Sequence, residues 1–349
     1  MSPVNQLSNI QTQGTPVIDG NVVTFVWEGK TPPKLAGDFT DWERGIPVSL
    51  AKAGRNLWSY RHTFPRNAYI EYTFLDGEQR LLDPLNPRTT PNGFGEVNNY
   101  FYMPEAAPTP FSYRQKGVSR GRLTRHSVNT WHLVAGDQRA VYLYHPATSE
   151  PCPLLVVYDG NDFLRRGALV TIIDNLIHQE RIRPIAMALI ANSRIARAVE
   201  YTCSESSLGF VRFVILPLAQ QQLNLIDPES APGLYAVMGA SLGGLMAIYT
   251  AIRAPEYFGS ALCLSGGFSL SGHDSVVFDL VEKCEVKPMD IWMTVGSYDF
   301  QILLESNRRL SALLAARGHD ITYREYPAGH NYPAWRDEVW RGLEHIFRK

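Results

Sequence analysis

The chain has 349 residues, of which 45% are hydrophobic and 19% charged, which is typical of a globular protein long enough for two domains. The net charge of -1 argues against a nucleic-acid or anionic-membrane partner held by bulk charge. No apolar run reaches the roughly 18 residues of a membrane span, and residues 1–14 lack a signal-peptide pattern. We therefore expect a cytoplasmic protein without a membrane or nucleic-acid partner.

The first part of the chain carries only β signals. β-branched and aromatic runs occupy residues 22–27, 57–64 and 69–74, and Asp76-Gly77 after the last run is typical of a hairpin turn. No amphipathic helix pattern precedes residue 105. The sequence therefore predicts that residues 1–105 form a small antiparallel, immunoglobulin-like sandwich.

The character of the chain changes after residue 105. Three prolines within residues 104–110 are typical of an extended spacer, and residues 106–120 are predicted to be a linker. Two strands are then predicted in residues 121–145, and from residue 153 apolar strands alternate with amphipathic helical segments. This alternation predicts that residues 121–349 form an α/β domain with a mostly parallel sheet covered on both faces.

The four cysteines are widely spaced and form no CxxC pair: Cys152, Cys203, Cys263 and Cys284. Neither a disulfide framework nor a zinc site is expected from this spacing. Reduced thiols are typical of cytoplasmic proteins.

A G-x-S-x-G motif lies between a predicted strand, residues 234–238, and a predicted helix, residues 242–253. The motif is Gly239-Ala240-Ser241-Leu242-Gly243. In the α/β-hydrolase fold a tight strand-to-helix turn exposes the hydroxyl of such a serine, and the flanking glycines avoid collisions with neighbouring elements. We predict Ser241 as a catalytic nucleophile and an α/β-hydrolase fold for the second domain.

In this fold the acid and then the histidine follow the serine in the chain. His330 follows the predicted strand 321–326 in a loop at the carboxyl edge of the sheet and is the predicted base. Three other histidines lie after the serine and are expected to be loop, helix-terminus and packing residues respectively: His273, His319 and His345.

Asp299 follows the predicted strand 291–295 and is the predicted acid, which would orient the imidazole and offset its charge. Glu305 is the alternative acid, and Asp299 has an alternative role as a helix N-cap. An oxyanion hole needs two backbone N–H groups, which are predicted to come from Leu242 and from the loop containing Gly160 and Asn161.

These features resemble the enterochelin esterases and related esterases. In the second domain the resemblance rests on Tyr158-Asp159-Gly160, Arg197 with Glu200, Gly239-Ala240-Ser241-Leu242-Gly243-Gly244, Gly296 with Asp299, and Gly329-His330 with Trp335-Arg336. In the first domain it rests on Asp83-Pro84-Leu85-Asn86-Pro87 and Gly93-Phe94-Gly95-Glu96-Val97-Asn98. The resemblance covers residues 20–349.

The resemblance implies a cytoplasmic serine esterase that opens the ester bonds of a ferric catecholate siderophore and releases iron. The substrate would be a small molecule that brings its own iron, so no metal or organic cofactor is implied. The resemblance implies that Arg194, Arg197 and Trp335 contact the substrate. A surface ion pair between Arg197 and Glu200 is the alternative for that arginine. The sequence does not indicate an oligomeric state.

A second hypothesis comes from Gly37-Asp38-Phe39-Thr40-Asp41-Trp42, which resembles glycan-associated sandwich modules. It implies a feruloyl or acetyl carboxylesterase whose first domain binds carbohydrate. Such enzymes are generally exported, and the expected lack of an export signal favours the siderophore hypothesis. A third hypothesis is a binding protein that has lost its hydrolase activity.

Overall fold

The computed structural model describes residues 14–93 and 95–349, and only the backbone of Glu43. Residues 1–13, in which no signal peptide is predicted, and Phe94, part of a motif named above, lie outside the described residues. The chain divides into two compact units. The first comprises the described residues up to Ala107 with Gly296–Gln301 and Tyr326–Ala334, and the second Pro108–Val295, Ile302–Glu325 and Trp335–Lys349.

The first unit contains ten strands in two sheets. Their bounds are β1 Val17–Asp19, β2 Val22–Glu28, β3 Lys34–Gly37, β4 Val48–Ser49, β5 Ala51–Gly54, β6 Leu57–Thr63, β7 Tyr69–Asp76, β8 Gln79–Leu81, β9 Thr89–Pro91 and β10 Val97–Tyr102. One sheet has the order β1-β2-β6-β5, and the other has the order β4-β3-β7-β10-β9 with β8 paired to β7. The pairings described within both sheets are antiparallel, and β7 and β8 form the predicted hairpin.

Aromatic side chains from both sheets fill the core of this unit. The ring of Phe25 on β2 lies 5.0 Å from the ring of Tyr72 on β7 and 5.9 Å from that of Phe101 on β10. All three rings are fully buried, and burial of such rings contributes roughly 1.5–3 kcal/mol each. Two antiparallel sheets packed through an apolar core confirm the predicted sandwich.

An eight-stranded mixed sheet has the order β11-β12-β14-β13-β15-β16-β19-β20. Its strands and those of a short hairpin, β17-β18, are β11 Arg122–Asn129, β12 Gln138–His145, β13 Leu154–Val157, β14 Ala186–Ile190, β15 Tyr235–Ala240, β16 Phe258–Leu264, β17 Ser269–Leu270, β18 His273–Asp274, β19 Asp290–Gly296 and β20 Asp320–Tyr326. β13 pairs in parallel with β14 and β15, β15 with β16, and β16 with β19. β11 and β12, the two strands predicted in residues 121–145, pair antiparallel with each other, and β12 pairs antiparallel with β14.

The helices of this part of the chain are Gly160–Arg165, Leu169–His178, Arg197–Tyr201, Glu205–Phe210, Leu216–Gln222, Leu242–Arg253, Val276–Lys283, Gln301–Ala316 and Tyr332–Phe347. A π-helical turn, Val211–Ile215, separates the helices Glu205–Phe210 and Leu216–Gln222. Pro217 explains the interruption, since a proline lacks an N–H group and its ring crowds the preceding turn.

β13, β14 and β15 are buried along their whole length, which is typical of a parallel sheet covered on both faces. The sheet and its helices confirm the predicted α/β-hydrolase fold. Within residues 14–93 and 95–349, no helix has both the length and the apolar character that crossing a lipid bilayer requires.

Candidate active site

Ser241 occupies the turn between β15 and the helix Leu242–Arg253, which we call the elbow helix. Its backbone dihedrals are φ 58° and ψ −125°, a strained conformation for a residue with a side chain. Such strain costs about 1–3 kcal/mol and persists only where the surroundings fix the backbone. A serine held in this way at the end of a buried strand is a candidate nucleophile.

Close packing explains the glycines on either side of Ser241. A Cβ atom at Gly239 would lie 2.3 Å from the carbonyl carbon and oxygen of Gly243. A Cβ atom at Gly243 would lie 3.0 Å from Oδ2 of Asp159, at the end of β13. The glycines therefore allow the elbow helix to begin directly against the strand before it and against the neighbouring strand.

Backbone hydrogen bonds hold the turn. The N–H of Ser241 donates to the carbonyl of Leu264 at 2.9 Å. The carbonyl of Ser241 accepts from the N–H groups of Gly244, Leu245 and Gly267 at 2.9, 3.1 and 2.9 Å. These bonds tie the turn to the end of β16 and the loop after it.

The loop after β13 contains Gly160 and Asn161, one of which is predicted to supply the second N–H group of the oxyanion hole, beside that of Leu242. Gly160 begins a short helix there, and a Cβ atom at this position would lie 2.5 Å from the backbone of Leu189 on β14. Oδ1 of Asn161 accepts from the N–H of Asn192 at 3.0 Å. The loop is thus fixed against β14 and the segment that follows it.

Arg197 contacts Asp159 in this loop. Its Nε and Nη2 donate to Oδ1 and Oδ2 of Asp159 at 2.7 and 2.6 Å. The alternative ion pair between Arg197 and Glu200 is wrong, because Glu200 is bound elsewhere. Nη2 of Arg139 lies 2.7 Å from Oε1 of Glu200, and both side chains are about 5% exposed.

The structure joins Asp299 and His330. Nδ1 of His330 lies 2.9 and 3.1 Å from Oδ1 and Oδ2 of Asp299, and the side chains are 7% and 0% exposed. The N–H of Phe300 donates to Oδ1 of Asp299 at 2.7 Å, which fixes the carboxylate. The loops that carry the pair are joined by a backbone hydrogen bond from Tyr298 to Ala328 at 3.1 Å.

The other candidates for base and acid lie elsewhere. His345 contacts Asp290 at 2.7 Å, His319 is buried beside Met289, and His273 is exposed on β18. Glu305 is exposed on its helix. Asp299 is therefore the carboxylate that contacts a histidine from the loop after β20.

A cavity of about 250 Å³ lies beside His330 within the first unit. Its lining is polar and aromatic, with two arginines and three carboxylic acids: Asp38, Trp42, Arg44, Glu71, Arg80, Asn92, Glu96, Asn98, Phe300 and His330. The guanidinium of Arg44 lies 3.9 Å from the ring centroid of Phe300, whose ring lies 5.0 Å from that of His330. The sequence did not predict this cavity, although two of its lining residues, Asp38 and Trp42, belong to the motif that resembles glycan-associated modules.

Asp38 is a buried carboxyl in the lining of this cavity. Its Oδ2 accepts from the N–H of Glu71 at 2.8 Å, and its Oδ1 accepts from Nε1 of Trp42 at 3.0 Å. Burial above all, and then the negative charge of Glu71, raise the pKa of Asp38 well above its ordinary value. Asp38 therefore holds a proton at pH values where an exposed aspartate is ionised.

The remaining predicted substrate contacts lie in different environments. Arg194 is exposed in a short 3-10 turn, Arg194–Ala196. Trp335 is 4% exposed, and its Nε1 donates to Oγ of Ser265 at 3.0 Å. Its burial favours a packing role over contact with a substrate.

Among the described residues, no group of three or more histidine, cysteine or acidic side chains is arranged to hold a metal ion.

A mostly parallel sheet with a strained serine between a buried strand and its helix defines an α/β hydrolase. The sequence model of the "Putative esterase" family matches residues 134–346. The chain is 25% identical to the iron(III) enterobactin esterase of Escherichia coli K12, over 85% of this chain and 81% of that protein. It is 26% identical to the iron(III) salmochelin esterase of Escherichia coli O6:H1, over 93% and 87%.

The fold agrees with that of a solved relative. The ferric enterobactin esterase of Salmonella typhimurium superimposes with a TM-score of 0.78 at 21% identity, over 96% of this chain and 95% of that one. The chain belongs to the Esterase family, since the family model matches more than half of it, and it is a carboxylic ester hydrolase of the enterochelin esterase type. The predicted family and enzyme class are confirmed.

Proposed function

We propose that the protein is a serine esterase that hydrolyses the ester bonds of a ferric catecholate siderophore through an acyl-enzyme on Ser241. The strained conformation of Ser241 at the elbow carries the proposal. Support also comes from the sheet, in which Ala240 on β15 pairs with Leu264 on β16 and Leu264 pairs with Thr294 on β19. Ser241 and Asp299 therefore both follow the carboxyl ends of parallel strands of one sheet, where active sites of such folds lie.

In the proposed reaction, Nε2 of His330 accepts the proton of Ser241 as the Ser241 oxygen attacks the ester carbonyl. The N–H at Nδ1 donates to Asp299, which keeps the imidazole in the required tautomer and offsets its positive charge. The imidazolium then gives its proton to the alcohol oxygen that leaves. A water molecule, deprotonated by His330, attacks the acyl-enzyme; the Ser241 oxygen then leaves, takes the proton back from the imidazolium, and the acid is released.

The oxyanion that forms on the carbonyl is stabilised by backbone amides in this proposal. Leu242 contributes one N–H from the start of the elbow helix. Gly160 or Asn161 contributes the other, from the loop after β13. Removal of one such donor costs about 10²- to 10³-fold in kcat in serine hydrolases, so the position of this loop matters for the rate.

The chemistry of the relatives supports a siderophore substrate. Two relatives that match most of the chain are named as an iron(III) enterobactin esterase and an iron(III) salmochelin esterase. The cavity beside His330 offers the rings of Trp42 and Phe300, and the guanidinium of Arg44 lies 3.9 Å from the ring centroid of Phe300; these groups suit an aromatic part of a substrate.

A parallel hydrolysis assay tests this proposal against the carbohydrate-ester hypothesis. We expect cleavage of a ferric trilactone siderophore, little cleavage of a feruloylated oligosaccharide, and no cleavage of either by Ser241→Ala. The reverse preference would select the carbohydrate esterase. Covalent labelling of the wild-type protein by a fluorophosphonate, but not of Ser241→Ala, would exclude a binding protein without catalytic activity.

The proposal includes a cytoplasmic location. The four cysteines are all free thiols in the structure, which is typical of proteins in a reducing compartment. Fractionation of cells that produce the protein should recover the ester hydrolase activity with cytoplasmic markers, and recovery in the exported fraction would contradict this part of the proposal.

A further inference from the structure

Phe300 touches both members of the proposed acid–base pair. Its backbone N–H donates to Oδ1 of Asp299 at 2.7 Å, and its ring centroid lies 5.0 Å from that of the His330 imidazole, with 34° between the ring planes. The three residues belong to the first unit, in the loops after β19 and β20. Aromatic rings at this separation attract each other beyond the effect of burial. One residue therefore contacts the carboxylate through its backbone and the imidazole through its ring.

The contact with Asp299 does not by itself fix the direction of the imidazole. Both carboxylate oxygens lie near one atom of His330, Nδ1, at 2.9 and 3.1 Å. A contact at a single atom holds that atom in place, but the ring can still turn about it and change the direction in which Nε2 points. A second contact against the ring opposes this rotation, and Phe300 supplies one.

Arg44, on the sandwich, in turn contacts Phe300. Its guanidinium carbon lies 3.9 Å from the ring centroid of Phe300. Arg44 ends a 3-10 turn, Trp42–Arg44, and its side chain is exposed. A guanidinium over an aromatic ring is attracted by the negative charge on the face of the ring. The side chains thus follow one another in a series, which we call the Arg44–Phe300–His330 stack.

From these contacts we propose that Phe300 is a positioning residue, which orients the imidazole of His330 towards Ser241, and that Arg44 acts on the same step through the ring of Phe300. This inference rests on the proposed function of Ser241 and His330. Misplacement of reacting groups by 1 Å can cost about 10²-fold in rate, so a small rotation of the imidazole matters. Because Phe300 and Arg44 also line the cavity, the alternative is direct contact with the substrate, which would act on KM.

Vinyl acetate separates the two roles, because this small activated ester offers neither an aromatic ring nor a charge. Phe300→Leu removes the ring but keeps an apolar side chain and the backbone N–H. We expect this variant to lower kcat about 10- to 100-fold while KM changes less than about threefold, measured by titration of the released acid. An unchanged kcat, together with a higher KM for the ferric siderophore, would overturn the inference and favour substrate contact.

The conservative variant Phe300→Tyr keeps the ring. We expect its kcat for vinyl acetate to lie within about twofold of the wild type, since an aromatic ring at this position still meets the imidazole. A side chain that only fills space would be replaced by leucine as well as by tyrosine. An equal loss of kcat in both variants would overturn the inference, because the ring would then not be the cause.

A double variant tests whether Arg44 acts through Phe300. We expect Arg44→Gln to lower kcat for vinyl acetate about two- to fivefold, the scale of one exposed cation–π contact. In the Phe300→Leu background, Arg44→Gln should have no further effect. The same loss in both backgrounds would contradict an action through the ring. Should Phe300→Leu fail to fold, the exposed Arg44 still provides a test, and a wild-type kcat of Arg44→Gln would overturn the inference.

The NMR spectrum of the imidazole gives a readout that does not depend on activity. The C–H resonances of His330, assigned by their loss in His330→Gln, should change their chemical shifts in Phe300→Leu, because the nearby ring no longer adds its ring current. Unchanged shifts would overturn the inference. Phe278→Leu is the matched control, because Phe278 is also half-buried beneath an arginine, with the guanidinium of Arg309 at 4.9 Å. We expect wild-type kcat and wild-type His330 resonances in this control.

The outcomes also separate this inference from the proposed function. Equal hydrolysis by the wild type and Ser241→Ala would contradict the acyl-enzyme proposal itself. A Ser241-dependent reaction with a wild-type kcat in Phe300→Leu would contradict only the positioning role.

Discussion

The carboxyl group of Asp38 lies against the backbone of Gly329, so closely that a Cβ atom at position 329 would come within 2.0 Å of Oδ1 of Asp38. Gly329 directly precedes His330, whereas Asp38 follows β3 of the sandwich. Only glycine fits at position 329 without a shift of the loop that carries the proposed base. This contact gives the sandwich a physical means to fix the position of His330.

We therefore predict that Gly329→Ala displaces His330. The kcat for an activated ester should fall at least about 10-fold, and the free energy of unfolding should fall by about 1–3 kcal/mol because of overpacking. Steady-state kinetics and urea unfolding measure the two effects. Gly54→Ala is the control, since its Cβ atom would meet only the side chain of Leu57 at 3.5 Å.

The same contact predicts coupling between positions 329 and 38. Removal of the carboxyl in Asp38→Ala creates space for the new methyl group, so the double variant should be less impaired than the sum of the two single variants. We expect a coupling energy of about 0.5–3 kcal/mol in a double-mutant cycle on unfolding. Additive effects would show that the contact between Asp38 and Gly329 does not determine the position of the loop that carries His330.

The buried carboxyl of Asp38 also predicts a pH dependence of stability. Burial and Glu71 raise its pKa in the folded state above the ordinary value of 3.8. As the pH rises past that ordinary value, the unfolded chain loses its proton first, so the free energy of unfolding of the wild type falls. The free energy of unfolding falls by about 1.4 kcal/mol per pH unit and stops falling above the pKa of Asp38 in the folded protein.

Asp38→Asn removes this titrating group. We expect the free energy of unfolding of Asp38→Asn, relative to the wild type, to increase as the pH rises from 4 towards neutrality. Urea unfolding of both proteins at several pH values measures this difference. A difference that is constant with pH would mean that Asp38 has an ordinary pKa in the folded protein.

Local sequence patterns predicted the fold and the positions of Ser241, Asp299 and His330. The strand before Ser241 and the helix after it are continuous patterns, and the strands before Asp299 and His330 are apolar runs that end at the loops concerned. Signals of this kind depend on neighbouring residues alone, so they are readable without the tertiary structure.

The cavity and the arginine pairs depend on contacts between distant positions. Asn98 on β10 donates to Glu71 on β7 at 2.7 Å and places that carboxylate at the cavity, through a strand register that the sequence does not specify. Glu200 lies three residues from Arg197, yet it binds Arg139, which is 61 residues away in the chain. Spacing along a helix therefore suggested the wrong partner.

The buried pair of Arg139 and Glu200 predicts a large effect on stability. Glu200→Ala would leave the guanidinium of Arg139 buried without its carboxylate, and the N–H of Ala135, which donates to Glu200 at 2.8 Å, would lose its acceptor. We expect the free energy of unfolding to fall by about 3–5 kcal/mol. In the exposed pair with Arg212, Glu256→Ala should cost under about 1 kcal/mol, and equal losses in the two variants would contradict this prediction.

The contact between Asp299 and His330 predicts the effect of Asp299→Asn on catalysis. The amide keeps the size of the carboxylate but cannot offset the charge of an imidazolium, and it favours the wrong tautomer of His330. We expect kcat for an activated ester to fall on the order of 10³- to 10⁴-fold, with a KM within about threefold of the wild type. Asp290→Asn is the matched control, because Asp290 forms a similar contact with His345 at 2.7 Å outside the proposed triad, and its kcat should stay that of the wild type. If Asp299→Asn keeps more than about a tenth of the wild-type kcat, the Asp299–His330 pair is structural and another group must orient the base.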